Sequence, residues 1–291
     1  MSRTRILIIG ATGKIGSELA KLFQTDKYTD VRLLLRNEKN HEKFDLDRFE
    51  IYIGDIANVA DIERAVENID KIFLVTTPSP EQAQLHKNVI DVAKRKKNIH
   101  MVRISAMGID PKYHSPLSET SIAKWHYEVE KYMEESDLPF THLRPNFFMQ
   151  NMLVFKNSIQ DEDKFYAALH NGKISLVHVA DIAAVAYVVL TNDEHIGCSY
   201  DITGPEALSF DEIAEQLTKT LDRRIEYAYM SPDILKSKLL QAGTPEWFVN
   251  DKIKFFEGYS AGYGEAITDV VKQLTNKVPI SFKDFSNEFK I

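Results

Sequence analysis

The run Gly10-Ala11-Thr12-Gly13-Lys14-Ile15-Gly16 places three glycines at even spacing, directly behind the apolar run Arg5-Ile6-Leu7-Ile8-Ile9. Ile15, Leu19, Leu22 and Phe23 then recur at helical spacing. A glycine turn between a strand and a helix exposes backbone N–H groups where the helix dipole favours an anion. Gly10 permits the tight turn, Gly13 lets a pyrophosphate approach the backbone, and Gly16 allows close helix–strand packing. The spacing is G-x-x-G-x-x-G rather than G-x-G-x-x-G, but strand, turn, helix and next strand follow in the order that a bound dinucleotide requires.

The end of the second strand bears on which dinucleotide. An NAD site usually carries an acid roughly 20 residues beyond the glycines, bonded to the ribose hydroxyls. Here that region holds Arg36, and the nearest acid, Glu38, comes two residues later. A guanidinium can bind a 2′-phosphate bidentately, so NADP(H) is preferred and NAD(H) remains possible. Asp55, in Gly54-Asp55-Ile56, is placed either to accept from an adenine amino group or to cap the helix that follows.

These residues need a frame, and the first half of the chain supplies one. Short apolar runs at Arg5–Ile9, Val31–Leu35, Ile51–Ile53, Ile72–Val75, Ile99–Ile104 and Phe140–Leu143 alternate with helical patterns. That alternation predicts an α/β fold with a Rossmann-type, doubly wound parallel sheet. A helix is expected from about Ser121 to Glu135, another strand at Ile174–Val177, and a buried helix over Asp181–Leu190. The remainder reads as helical and more polar, broken at Gly204-Pro205, Ser231-Pro232 and Thr244-Pro245. The expected division is a nucleotide-binding domain over 1–150, with 174–204 packing back onto it. Residues 151–173 and 205–291 then form a smaller, mostly helical substrate lobe.

The 291 residues carry a net charge of −7, with 44% hydrophobic and 27% charged residues. This is ordinary globular composition, without the basic footprint of a nucleic-acid binder. The basic run Lys94-Arg95-Lys96-Lys97 reads as a solvated helix end. After Met1-Ser2-Arg3-Thr4-Arg5 the apolar run is only Ile6–Ile9, too short for a signal-peptide core or a membrane span. A cytoplasmic protein without membrane contact is expected. Cys198 is the single cysteine, which excludes an intrachain disulfide, and the nine histidines show no metal-ligand spacing.

Taken in order, several pieces resemble one family. They are the glycine turn, Gly54-Asp55, Thr76-Thr77-Pro78, Ile104-Ser105-Ala106-Met107-Gly108 and His126-Tyr127-Glu128-Val129-Glu130. Further on come Leu143-Arg144-Pro145-Asn146-Phe147-Phe148-Met149-Gln150-Asn151, Asp181-Ile182-Ala183, Thr203-Gly204-Pro205-Glu206 and Val278-Pro279-Ile280-Ser281-Phe282-Lys283-Asp284-Phe285. The chain resembles an atypical short-chain dehydrogenase/reductase of the NmrA-like type, a group that includes NAD(P)H-dependent quinone reductases and redox-sensing regulators. The resemblance implies that Gly10, Thr12, Gly13, Lys14, Ile15 and Gly16 line the pyrophosphate. It implies that Arg36 faces the adenosine phosphate; Asp55 and Ile56 are counted among the cofactor-binding candidates. Thr76, Thr77 and Pro78 would run beside the nicotinamide ribose, and Ser105, Ala106 and Asn146 would border the nicotinamide. Met107, Phe147, Phe148 and Asn151 would shape the substrate pocket.

Most short-chain dehydrogenases carry Tyr-x-x-x-Lys on the helix before the sixth strand. Tyr127 and Lys131 have that spacing, yet on a helical wheel of about 100° per residue they face solvent. Ile122, Trp125, Val129, Tyr132 and Met133 form the apolar face, with His126 at its edge. Counting back from Leu143-Arg144-Pro145, the family register puts His126 at the lysine position and Ile122 at the tyrosine position. The usual proton donor is therefore absent in register. His126 is expected to bond the ribose or relay a proton, its alternative being a helix-edge histidine satisfied by Glu130. Ser105 and the loop residue Tyr113 are the other catalytic candidates. A quinone spreads the incoming charge to a distant oxygen and needs a dedicated tyrosine less than an isolated ketone does.

The resulting expectation is an NADP(H)-dependent oxidoreductase acting on a small conjugated electrophile such as a quinone, as monomer or homodimer and without metal. The alternatives are a non-catalytic dinucleotide sensor with a protein partner, and a reductase of an iminium or other specialised metabolite. The aromatic run Trp247, Phe248, Phe255, Phe256, Tyr259 and Tyr263 reads as lobe packing or as the wall for a flat substrate.

Overall fold

The structure, a computed structural model, describes residues 3–96 and 98–290; Lys97 of the basic run lies outside them. The chain runs β1 (Thr4–Ile9), α1 (Lys14–Gln24), β2 (Thr29–Leu35), β3 (Phe49–Ile53), α2 (Val59–Ala65), β4 (Lys71–Leu74), α3 (Gln82–Lys96), β5 (His100–Ile104), α4 (Ser121–Glu134) and β6 (Phe140–Pro145). Next come α5 (Lys156–Glu162), β7 (Lys164–Ala167), α6 (Val179–Thr191), β8 (Cys198–Ile202), α7 (Phe210–Leu221) and β9 (Glu226–Tyr229). Four helices complete it: α8 (Pro232–Gln241), α9 (Glu246–Ser260), α10 (Val270–Thr275) and α11 (Phe282–Phe285).

Seven strands form one sheet in the order β3-β2-β1-β4-β5-β6-β8, and the pairings recorded from β3 through to β6 are parallel. The order reverses direction between β1 and β4, the kind of switch point where open α/β sheets bind ligands beyond the strand carboxyl ends. β1 and β4 are buried on both faces, which explains their unbroken apolar runs.

The contacts divide the chain into two compact units, and neither is continuous in sequence. The first comprises Met1–Ser105, Trp125–Arg144 and Ile182–Tyr200; the second comprises Ala106–Lys124, Pro145–Asp181 and Asp201–Ile291. The chain crosses between the units after Ser105, Lys124, Arg144, Asp181 and Tyr200. Two of these crossings, after Ser105 and after Arg144, fall at the ends of β5 and β6. The first unit's core joins Leu7, Leu34, Ile72, Val89 and Met101, whereas the second is built on Phe165, Phe210, Phe282, Phe285 and Phe289.

The second half departs from the sequence reading in its strands. Ile174–Val177 forms no strand: Ile174 makes one isolated bridge to Leu208 and Val177 one to Phe148. Conversely, β8 in the large sheet and the parallel pair β7–β9 lie in the region read as helical. β7 and β9 are only four residues long, too short to show an alternating pattern. Among the described residues no helix is long and apolar enough to cross a membrane.

Candidate functional site

The glycine turn is held by the close packing that its residue types allow. Gly10 has φ +92°, and a Cβ there would come within 2.2 Å of the Val75 carbonyl oxygen at the end of β4. A Cβ on Gly16 would come equally close, 2.2 Å, to the Gly10 carbonyl oxygen. Helix α1 therefore rests on the turn itself. Gly13 is its N-cap and supplies no side-chain bond, and the first turn holds no acid. Thr12, Gly13 and Lys14 are exposed, while Ile15 and Gly16 are buried and offer only backbone. Although Lys14 is exposed overall, partial loss of water around its ammonium lowers it from its ordinary value. An uncapped, glycine-lined helix N-terminus at the switch point has the donor set for a pyrophosphate.

Arg36 follows the last residue of β2 and is exposed, and Asn37 behind it caps the 3-10 turn Glu38–Lys43. Asp55 does not cap the next helix. Its carboxylate accepts from Ala57 N–H at 2.9 Å in a local turn, while Asn58 caps α2. Ile56 is buried, and its carbonyl accepts from Asn88 at 3.3 Å.

At the carboxyl ends of β4 and β5 a polar chain runs through the interior of the first unit. Arg103, fully buried, donates from Nε to His86 Nδ1 at 2.9 Å and from a terminal nitrogen to His126 Nδ1 at 2.7 Å. A guanidinium can only donate, so both imidazoles accept at Nδ1 and carry their hydrogen on Nε2. His86 Nε2 is 2.9 Å from the Thr76 hydroxyl oxygen, which also accepts from Gln82 at 3.2 Å. The Thr76 hydrogen is thereby left for another acceptor. Burial, reinforced by the Arg103 charge, holds both imidazoles neutral by lowering them well below the ordinary histidine value. His126 Nε2–H has no hydrogen-bond partner among the described residues. Thr77 is exposed and Pro78 half-buried.

Ser105, buried at the end of β5, makes no geometric hydrogen bond through its hydroxyl among the described residues. It lies beside Glu130, which it favours in the ionised form. Burial pushes Glu130 up, but paired hydrogen bonds from Arg144 at 2.9 and 2.6 Å and the surrounding charges outweigh this and hold it low. Glu130 is therefore the partner of Arg144, with no hydrogen bond to His126. Tyr127 is half-buried and Lys131 exposed; Lys131 pairs with Glu134 at 2.6 Å and stands 5.6 Å from the Tyr127 ring centre. Glu130, Glu134 and His142 bring one potential ligand atom each within 4.8 Å of one another, a grouping that sequence spacing concealed. Both carboxylates are already matched by Arg144 and Lys131.

In the second unit Ala106 and Met107 are half-buried, and Met107 N–H bonds the Pro145 carbonyl at 3.1 Å. Tyr113 ends a 3-10 turn with 55% of its surface exposed and Lys112 over its ring. Asn146 is buried and its side chain is committed to its own unit. It donates to Ser175 Oγ at 2.8 Å and to the Gly264 carbonyl at 3.0 Å, and accepts from Phe147 N–H at 2.9 Å. Phe147, Phe148 and Asn151 are half-buried around the start of the 3-10 turn Met149–Phe155.

Sequence reading missed Arg103, His86 and Gly264. An arginine inside the apolar strand His100-Met101-Val102-Arg103-Ile104 was the available signal for the first. His86 shares a helix face with the buried Val89 and Ala93, and Gly264 carries no local signal at all.

The chain is 30% identical over 281 residues to an NAD(P)H azoreductase from Xenophilus azovorans, covering 97% of this chain and 96% of that protein. Its fold matches the crystal structure of an NADPH-dependent quinone oxidoreductase from Escherichia coli complexed with NADPH. The TM-score is 0.88 at 23% identity, over 97% of this chain and 99% of that one. It also matches NmrA, a negative transcriptional regulator, with a TM-score of 0.82 at 16% identity over 99% and 95% of the two chains. The model of the NmrA-like family matches residues 2–286, and the chain belongs to that family.

Proposed function

We propose that this chain is an NADPH-dependent reductase of small conjugated electrophiles, with quinone-like acceptors foremost. The broader activity, NAD(P)H-dependent oxidoreduction, is that of the azoreductase to which it is similar over nearly its whole length. The observation that carries the reading is the open turn: Gly10 and Gly16 make a backbone cradle that side chains would fill, and no cap or acid occupies it. Gly10 to Gly16 would hold the pyrophosphate, Arg36 the 2′-phosphate, and the Thr76 hydroxyl and His126 Nε2–H the nicotinamide ribose. A reduced nicotinamide supplies a hydride when bound.

His126 acts here as a fixed neutral donor. Its Nδ1 is tied to a buried cation, and a second proton on the ring would meet that charge. Proton relay through His126 is correspondingly disfavoured, and no tyrosine occupies the helix position four residues before it, which is Ile122. An acceptor that spreads charge over a conjugated system suits such a helix better than an isolated ketone. Met107, Phe147, Phe148 and Asn151 are assigned to acceptor binding.

The regulator with the same fold keeps a second reading open, a dinucleotide sensor without turnover. One experiment addresses both. NADPH oxidation by the purified protein is followed with quinones, enones, iminium compounds and azo dyes, beside Arg36→Ala. Turnover is expected with quinones, and Arg36→Ala is expected to lower the NADPH-to-NADH affinity ratio about 10- to 100-fold, the loss of one charge-assisted pair. An unchanged ratio overturns the cofactor preference. Tight NADPH binding without turnover on any acceptor favours the sensor.

A further inference from the structure

Tyr259, on α9 in the second unit, is the tyrosine with the most deeply buried ring, yet its hydroxyl has no hydrogen-bond partner among the described residues. Buried phenols normally find one. Tyr227, in the same unit, shows the ordinary solution: its hydroxyl reaches the carbonyls of Ala167 and Leu169 at 2.7 and 2.8 Å. The Tyr259 oxygen is also absent from the polar atoms sealed away from solvent without a partner. The buried ring thus carries a donor that the described residues leave unspent.

The ring's surroundings connect it to residues already assigned to the acceptor. It stacks on Phe255 with centroids 6.3 Å apart and planes 15° from parallel. It meets Phe147 edge-on at 6.0 Å and 89°. Against its other side lies Gly264, where a Cβ would come within 2.6 Å of the Tyr259 ring. The carbonyl of that glycine is the one bonded by Asn146, whose side chain also fixes the Phe147 backbone. Asn146 therefore ties Phe147 and the backbone under Tyr259 into one assembly. The contacts are specific: Gly172 gives the Tyr259 carbonyl room in the same way, its Cβ position being 2.0 Å from that oxygen.

We propose that Phe255, Tyr259 and Phe147 form the aromatic wall that receives a flat acceptor, and that the Tyr259 hydroxyl donates a hydrogen bond to an oxygen or nitrogen of that acceptor. The inference rests on the reductase reading and deepens it by specifying an acceptor with a lone pair within reach of its π-system, as in a quinone carbonyl or an azo nitrogen. The phenol stays protonated throughout: burial pushes its pKa up, so it donates a hydrogen bond and surrenders no proton. Negative charge growing on the acceptor heteroatom strengthens that bond, so its contribution is larger in the transition state than in the ground state.

Tyr259→Phe removes one oxygen and keeps the ring, so packing survives. With 1,4-benzoquinone, kcat/KM is expected to fall about tenfold, the worth of one such hydrogen bond, while the NADPH Kd and the Tm stay unchanged. With 10-methylacridinium, a flat hydride acceptor whose nitrogen has no free lone pair, the variant and the parent are expected to match. The acridinium is read as substrate or, where it is not turned over, as competitive inhibitor of the quinone. Equal losses with both compounds, or an unchanged kcat/KM for benzoquinone, overturn the inference while leaving the reductase intact. A parent protein that oxidises NADPH with neither compound and with no other acceptor overturns the reductase reading itself.

Discussion

The first unit buries charge and the second buries rings. Inside the first lie Arg103, Lys71, Glu130 and the imidazoles of His86, His100, His126, His142 and His195. Inside the second, Phe165 meets Phe210 at 5.7 Å and 63°, and Phe210 meets Tyr227 at 5.2 Å and 89°. The buried acids of the second unit, Asp181 and Asp251, accept backbone N–H groups and so serve the chain itself. Part of the first unit's polar interior runs up to the carboxyl ends of β4 and β5, where Thr76 and His126 keep an unspent hydrogen each. The comparison teaches that the first unit's buried charges present polar groups, while the second unit's buried acids serve its own backbone.

The strongest way to break this contrast is Arg103→Met. The substitution leaves the Nδ1 atoms of His86 and His126 without a donor in a sealed interior. Removing one member of a buried charged network typically costs about 3–5 kcal/mol. The two tryptophans, Trp125 and Trp247, belong to different units, so Trp247→Phe gives a protein whose fluorescence reports the first unit only. In that background, Arg103→Met is expected to lower the urea midpoint sharply. A neutral or stabilising outcome would show that the buried network is dispensable.

A smaller effect follows from pH. Burial lowers His100 to about 4 and His142 to about 3, against an ordinary value of 6.5. Below 6.5 the unfolded chain takes up protons that the folded unit refuses, so stability falls as pH drops towards those values. Each imidazole contributes a loss of about 2 kcal/mol between pH 7 and pH 5. Urea unfolding followed through Trp125 is expected to shift to lower midpoint at pH 5. A flat profile would contradict neutral burial of these rings.

How much of this was legible depended on whether a feature is local. The glycine turn is seven consecutive residues, and its spacing marked Gly10 for the tight turn and Gly16 for close packing, where a Cβ would meet backbone at 2.2 Å in each case. The central strands β1 and β4 read as apolar runs because they are buried on both faces. The helical wheel put Tyr127 and Lys131 toward solvent; Lys131 is exposed, whereas Tyr127 is half-buried. The second unit offers no such shortcut. Asn146 reaches Gly264 across 118 residues, and neither residue type announces the other. Tyr259 read first as lobe packing and only second as pocket wall, because the aromatic spacing is the same for both. The hydroxyl's missing hydrogen bond belongs to the structure alone, since sequence does not record absent partners.

The smallest effect tests the other side of the contrast. At the start of α7, Ser209 Oγ accepts from Glu212 N–H at 3.2 Å while the Glu212 carboxylate accepts from Ser209 N–H at 2.7 Å. This capping box fills the helix end that α1 leaves open. Ser209→Ala is expected to cost the second unit about 1 kcal/mol, read through Trp247 after Trp125→Phe. The Lys173 ammonium bonded to Glu212, together with the Ser209 backbone, holds that carboxyl below its ordinary value. Glu212 therefore stays ionised at pH 5, and the loss at pH 5 is expected to equal that at pH 7. NADPH affinity should not move, because this helix end already has its cap. A loss that grows in acid would mean that the second unit is as dependent on protonation as the first, and the division between charged and aromatic interiors would fail.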